Sequence, residues 1–193
     1  MNREAWLTDM AERYCLPLIR QYQPKLEGEK YRVSCGFPKG RGGRGVIRIG
    51  ECWAPNVSAD GSVEIFISPT IDEPVEVSAT LLHELVHYAV GNKCGHKGEF
   101  RRVAKAVGLE GKMTATVAGP ALVARIKDTW LSAMPPYPHA ALKPATEVAR
   151  PGSRLLKMAC DCGFTVRITA KWLEQIGFEF PCPSCHDQRV LQR

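Results

Sequence analysis

The chain has 193 residues, 45% hydrophobic and 24% charged, enough for one well-packed domain and a small appendage but not for two full-sized domains. Its formal charge of +6 is compatible with work near nucleic acid or another polyanion and does not require it. No run approaches the roughly 18 apolar residues of a membrane span, and the stretch Met1 to Cys15 has no basic segment followed by an apolar core, so neither a membrane-spanning nor a secreted protein is expected.

Residues Arg3 to Gln21 carry apolar side chains at three- and four-residue steps (Trp6, Met10, Tyr14, Leu18) and predict an amphipathic helix with a break near Pro17. Tyr31 to Ser34 reads as a short strand. Gly36 to Gly45 is a basic glycine-rich loop without the G-K-[ST] ending of a phosphate-binding loop. Val46 to Trp53 and Val63 to Ser68 read as strands around an Ala59–Ser62 turn, and Pro69 stops the second of them. Ser78 is a candidate N-cap for a helix over Ala79 to Val90 that ends at Gly91. Further helices are expected over Gly98 to Val107 and Ala121 to Ala133. The segment 134–153, with Pro135, Pro136, Pro138, Pro144 and Pro151, has no periodicity and reads as a linker. The expected organisation is a domain over 1–133, that linker, and a tail module over 154–193.

The helix over Ala79 to Val90 contains His83-Glu84-Leu85-Val86-His87, an H-E-x-x-H pattern. Side chains four apart lie one above the other on a helix, so both imidazoles can face one ion. Glu84 stands beside them, placed to take a proton from a metal-bound water. Leu82, Leu85, Val86, Ala89 and Val90 form an apolar stripe with the ligands along its margin. A catalytic zinc takes a third protein ligand, for which His96, Glu99, Glu110 and Cys94 are candidates. His96 is preferred, because Gly91 to Gly95 can swing the chain back over the helix end. Tyr88, Tyr137, His139 and Arg101 are candidates to steady an oxyanion.

The run H-E-L-V-H followed by Gly95-His96-Lys97-Gly98-Glu99-Phe100 resembles the SprT-like zinc metalloproteases, whose eukaryotic members are the Spartan proteases. The strand Glu64 to Ser68 with Pro69 before the helix, and the cysteine-rich tail, are similar too. The resemblance covers roughly Ile47 to Val107 and the tail. It implies His96 as the third ligand, Phe100 at the start of the following helix, and a small zincin-like α+β domain in which a short mixed sheet packs on the HExxH helix and its flanking helices. It also implies a zinc endopeptidase, with Glu84 as general base, acting on protein bound to DNA.

Of eight cysteines, Cys15, Cys35, Cys52 and Cys94 are scattered and read as buried or free thiols. Cys160-x-Cys162 and Cys182-x-x-Cys185, nineteen residues apart, have the spacing of a Cys₄ zinc ribbon, with Phe164 to Ile168 as a strand between them. His186 could replace a cysteine, and a disulfide-linked tail is the competing reading, disfavoured in the reducing cytoplasm expected for this chain. Two zinc ions per chain are therefore expected, one catalytic and one structural. Basic residues of the tail (Arg154, Lys157, Arg167, Lys171, Arg189, Arg193) and of the loop region (Lys30, Arg32, Lys39, Arg41, Arg44, Arg48) outnumber nearby acids. Lys39, Arg41, Arg44, Arg167 and Lys171 are the candidate contacts for DNA.

Overall fold

The computed structural model describes residues 1–26, 30–38, 41–42, 46–143, 155–176, 179–186 and 188–190. The chain is α+β and divides into two compact units, Met1–Pro144 and Ala145–Arg193. No helix among the described residues is long and apolar enough to cross a membrane.

In the first unit the N-terminal helix does not break at Pro17. It runs as α1 (Arg3–Met10), one π-helical turn (Ala11–Cys15) and α2 (Leu16–Arg20). The wide turn, closed by Leu16 N–H donating to Ala11 O, lets Pro17 enter in the first turn of the next stretch, where a missing N–H costs least. Strand β1 (Tyr31–Cys35) follows, and then the two-residue strands β2 (Arg41–Gly42) and β3 (Val46–Ile47), which pair antiparallel. The strand expected over Val46 to Trp53 is therefore two strands: the chain leaves the small ribbon after Ile47 and re-enters the main sheet as β4 (Gly50–Trp53).

The main sheet has the order β1-β5-β4, with β5 (Val63–Ile67) at its centre. β5 is parallel to β1 and antiparallel to β4, with Ile65 opposite both Val33 and Cys52. Val63, Ile65 and Ile67 alternate inward and are buried. β4 is an edge strand.

Helix α3 (Pro74–Val90) begins four residues before the expected N-cap. Glu73 caps it by accepting from Glu76 N–H at 2.8 Å, and Pro74 occupies the first turn. Ser78 is inside the helix and its hydroxyl donates to Pro74 O. Every residue from Val77 to Val90 is buried, so past its first turn the helix has no solvent face and the single buried stripe expected for it is too narrow. It packs on β4 and β5, on the N-terminal helix, on α4 (Gly98–Ala106) and on a hairpin that the sequence did not reveal, β6 (Leu109–Lys112) with β7 (Ala115–Ala118). The helix expected over Ala121 to Ala133 is α5 (Pro120–Arg125), a π-helical turn (Ile126–Trp130) and a 3₁₀ turn (Leu131–Ala133), which bury Leu122, Ile126 and Trp130.

The proline-rich segment corrects the expected boundary. Met134 and Tyr137 are buried, Trp6 Nε1 donates to Pro135 O at 2.8 Å, and the Trp6 and Tyr137 rings lie 4.7 Å apart. Farther along, Leu142 N–H donates to Pro69 O and Ala141 N–H to Asp72. Residues 134–143 thus form a strap over the first unit, and the remainder of the expected linker, 144–153, lies outside the described residues.

The second unit contains β8 (Leu155–Ala159) paired antiparallel with β9 (Thr165–Thr169), a short helix α6 (Ala170–Ile176), and β10 (Glu179–Pro181) paired with β11 (Gln188–Val190). Among its described residues Met158, Leu173, Cys160 and Cys182 are the buried apolar ones, a small core for an independent unit.

Because the strap is packed and not a tether, Tyr137→Ala should lower unfolding free energy by about 3 kcal/mol in denaturant titrations. An equivalent change in a solvated linker would cost under about 0.5 kcal/mol.

Candidate functional site

His83, His87 and Glu84 project from α3 into a cleft of about 680 Å³ walled by Arg48 to Cys52 on the edge-strand side and by Thr114 to Val117 of the hairpin on the other. His96 reaches the same point from the connection between α3 and α4. That connection reverses sharply: Gly91, Gly95 and Gly98 have φ of 74°, 53° and 48°, values that favour glycine, around a 3₁₀ turn at Asn92–Cys94. The expected swing of the chain over the helix end is realised by these glycines.

The three Nε2 atoms converge. His83 lies 3.3 Å and His87 3.1 Å from His96 Nε2. Three nitrogens held tetrahedrally at the usual 2.0–2.1 Å from a zinc-like ion stand about 3.4 Å apart, so the spacing fits one such ion. Burial holds the His83 imidazole down to about 4 and the His87 imidazole to about 3, with the neighbouring histidines adding to the effect, and burial lowers His96 as well. The donors are therefore neutral over the physiological range, the form that ligates. Phe100, fully buried, packs against all three rings at 4.2–5.0 Å between centroids.

Two of the alternative third ligands are engaged elsewhere. Glu99 is exposed and paired with Arg102 at 2.6 Å, and Cys94 points its sulfur at the Gly91 and Gly95 carbonyls. Glu110 is exposed on β6. The candidates for an oxyanion partner do not line this cleft: Tyr88 packs on Tyr31, Tyr137 on Trp6, His139 on Pro69 O and Arg3, and Arg101 is exposed on α4.

Glu84 is 6% exposed. Burial pushes its carboxyl up to about 8, the Glu51 carboxylate adds to that, and Arg48 opposes it. Glu51 is itself held by Arg48 at 2.8 Å and by Trp53 Nε1 at 3.0 Å. The edge strand approaches Glu84 closely at Gly50, where a Cβ would stand 2.5 Å from Glu84 Oε1 and 2.7 Å from Thr80 Cγ2. Any larger residue there would displace the carboxyl group.

Sequence reasoning missed Gly50 and Thr116. Thr116 Oγ1 lies 2.8 Å from His83 Nδ1. With Nε2 turned to an ion, Nδ1 carries the proton and donates to that hydroxyl, which fixes tautomer and ring together. Nothing in the chain's periodicity marks Thr116, because its strand is four residues long and belongs to an unread hairpin.

In the second unit Cys160 and Cys162 lie at the turn between β8 and β9, and Cys182 and Cys185 at the turn between β10 and β11. The Cys160–Cys185 and Cys162–Cys182 sulfurs are 3.6 and 3.7 Å apart. Sulfurs at 2.3 Å around a tetrahedral ion stand about 3.8 Å apart, whereas a disulfide requires about 2.05 Å. None of the four forms a disulfide, and the cluster is compatible with a zinc ribbon. His186 is exposed, and the cluster consists of the four cysteines without it.

Of the candidate DNA contacts, Lys39 and Arg44 lie outside the described residues, and Arg41 falls on β2. Arg167 is exposed on β9 and Lys171 on α6. The basic run near the sheet is less free than its composition implies: Arg32 is bound by Asp60 and Glu64, and Arg48 by Glu51.

Metal analysis should find two ions per chain, one lost in His83→Ala and the other in Cys182→Ser. A single ion surviving both changes would refute the two-site arrangement. Thr116→Val should weaken binding at the histidine site about 10–100-fold in a competitive chelator titration, without touching the cysteine site.

Compared with models of protein families, with curated proteins and with solved structures, the chain finds no match in any of the three.

Proposed function

We propose that the first unit is a zinc-dependent endopeptidase of SprT-like type, with a zincin-like arrangement of sheet and HExxH helix, and that it acts on proteins held at DNA. The observation that carries this reading is the convergence of three neutral imidazoles beside a buried carboxyl group on one wall of an open cleft.

His83, His87 and His96 would hold the zinc. When bound there, zinc supplies Lewis acidity toward a carbonyl group and makes an attacking water more acidic. Glu84 takes the proton of the attacking water and returns it to the departing amine. Its buried position lengthens the reach of any charge beside it, so a dication at the histidines favours the ionised, basic form against the desolvation that raises it. Gly50, by lacking a side chain, leaves the room that the carboxyl group occupies. A site made only to stabilise the fold would have no use for a buried carboxyl group that burial alone destabilises.

The tail supports a role at nucleic acid. Lys157 lies directly opposite Arg167 across the β8–β9 pair, and both are exposed. Like charges so placed repel each other and are eased by a polyanion. Lys171 and the exposed Phe164 and Trp172 add a cation and two aromatic faces suited to stacking on bases. In this reading the four cysteines hold a second, structural zinc.

Cleavage of a protein substrate by wild type and Glu84→Gln, with and without single-stranded DNA, tests the proposal. Glu84→Gln should lose about 10²–10⁴-fold in rate while keeping both metal ions. Equal cleavage by the two would remove Glu84 from the mechanism, and cleavage by neither would leave a metal-binding module without peptidase activity.

A further inference from the structure

A second cavity, of about 450 Å³, opens beside the cleft and shares Cys52, His87 and Asn92 with it. That volume is in the range of ligand pockets, about 300–1,000 Å³. Its floor is buried and apolar, with Val63 at 3% and Tyr88 at 5% exposure. Ala54 and Pro55, from the turn that leaves the edge strand, form one wall. The polar members, Asn56, Asn92 and Lys93, are exposed and stand at the rim.

The wall is fixed in place. Asn92 Nδ2 donates to Cys52 O at 3.1 Å, which ties the turn after α3 to the edge strand and holds the two sides of the opening together. His87 borders both spaces, so the group adjacent to whatever sits at the histidines is the one that reaches the pocket. Among the described residues no carboxylate lines it, and Lys93 at the rim repels a basic side chain. The Val63 side chain offers no partner to a buried charge of either sign.

We propose that this pocket is a specificity site for an apolar side chain, of leucine to phenylalanine size, next to the bond cleaved. It rests on the peptidase reading for the identity of its ligand. A cavity of about 150 Å³ already accepts benzene, so the aromatic ring fits. Removing a leucine-sized side chain from water corresponds to about 10–100-fold in affinity over alanine.

Two series of small peptide hydroxamates test this on the full-length, zinc-loaded protein, one with the variable side chain on each side of the chelating group, read by calorimetry. In one series the leucine and phenylalanine compounds should bind about 10–100-fold more tightly than the alanine compound. Ala54→Trp, which fills the pocket, should remove that difference and leave the affinity of the alanine compound, the metal content and the unfolding midpoint unchanged. Ala54→Met, a smaller intrusion, should remove part of it and serves where the tryptophan perturbs folding. Equal binding across both series, or a side-chain preference untouched by either Ala54 variant, would overturn the proposal. Preference without any peptide cleavage would overturn the peptidase reading alone. Failure of every hydroxamate to bind would overturn both.

Discussion

The arrangement of the first unit depends on placing three polar groups on a helix that has no solvent face past its first turn. Burying a polar group without a partner costs a few kcal/mol, and α3 buries His83, Glu84 and His87 in succession. Thr116 satisfies one nitrogen of His83. His87 Nδ1 is buried with no hydrogen-bond partner among the described residues, and the Nε2 atoms of His83 and His87 stand 3.3 and 3.1 Å from that of His96. Where facing Nε2 atoms are both unprotonated, lone pair opposes lone pair, and where a ring takes a second proton, burial opposes the charge, in line with the lowered pKa of His83 and His87. A cation shared among the three removes both conflicts at once. The surrounding elements follow from that need: the glycine-built reversal brings His96 in, Phe100 closes the rings from beneath, and the hairpin delivers Thr116.

Glu84 is the counterpart of this arrangement. Its neighbours are the backbone of Gly50, the methyl of Thr80 and a Glu51 carboxylate already committed to Arg48 and Trp53. None of these favours the ionised form except the distant share of the Arg48 charge. In such surroundings the charge of Glu84 is set by what occupies the cleft. That is the condition the proposed role of general base requires, and it separates Glu84 from Glu99 and Glu110, which are exposed.

Much of the site was legible because its ligands repeat at helical spacing and its turn is marked by glycines. The helix around His83 and His87 and the return of the chain at Gly91 to Gly98 required only local rules. What failed to show was non-local. Ser78 looked like a cap because polar residues before an apolar run usually are, yet Glu73 and Pro74 begin the helix a turn earlier. The hairpin Leu109–Lys112 with Ala115–Ala118 has strands too short to give a period, and so Thr116 carried no signal. Proline in 134–143 suggested a tether, but an extended proline-rich segment has little conformational freedom to lose on docking. Trp6 supplies the donor and the ring that hold it down.

The tail was legible for the opposite reason: it has almost no core to obscure the pattern. With few buried apolar side chains between Leu155 and Val190 among the described residues, the geometry of its two hairpins cannot be set by packing alone. Each cysteine turn contributes one buried and one exposed thiol, Cys160 with Cys162 and Cys182 with Cys185. The short sulfur–sulfur approaches cross between turns, buried to exposed in both cases. Four soft donors gathered this way without a bond among them cross-link the two hairpins only through an ion. The second unit is therefore specified by donor spacing, the first by burial, and ions at the two candidate groups would answer different physical problems: one would hold a small fold together, the other would satisfy buried imidazoles in a cleft.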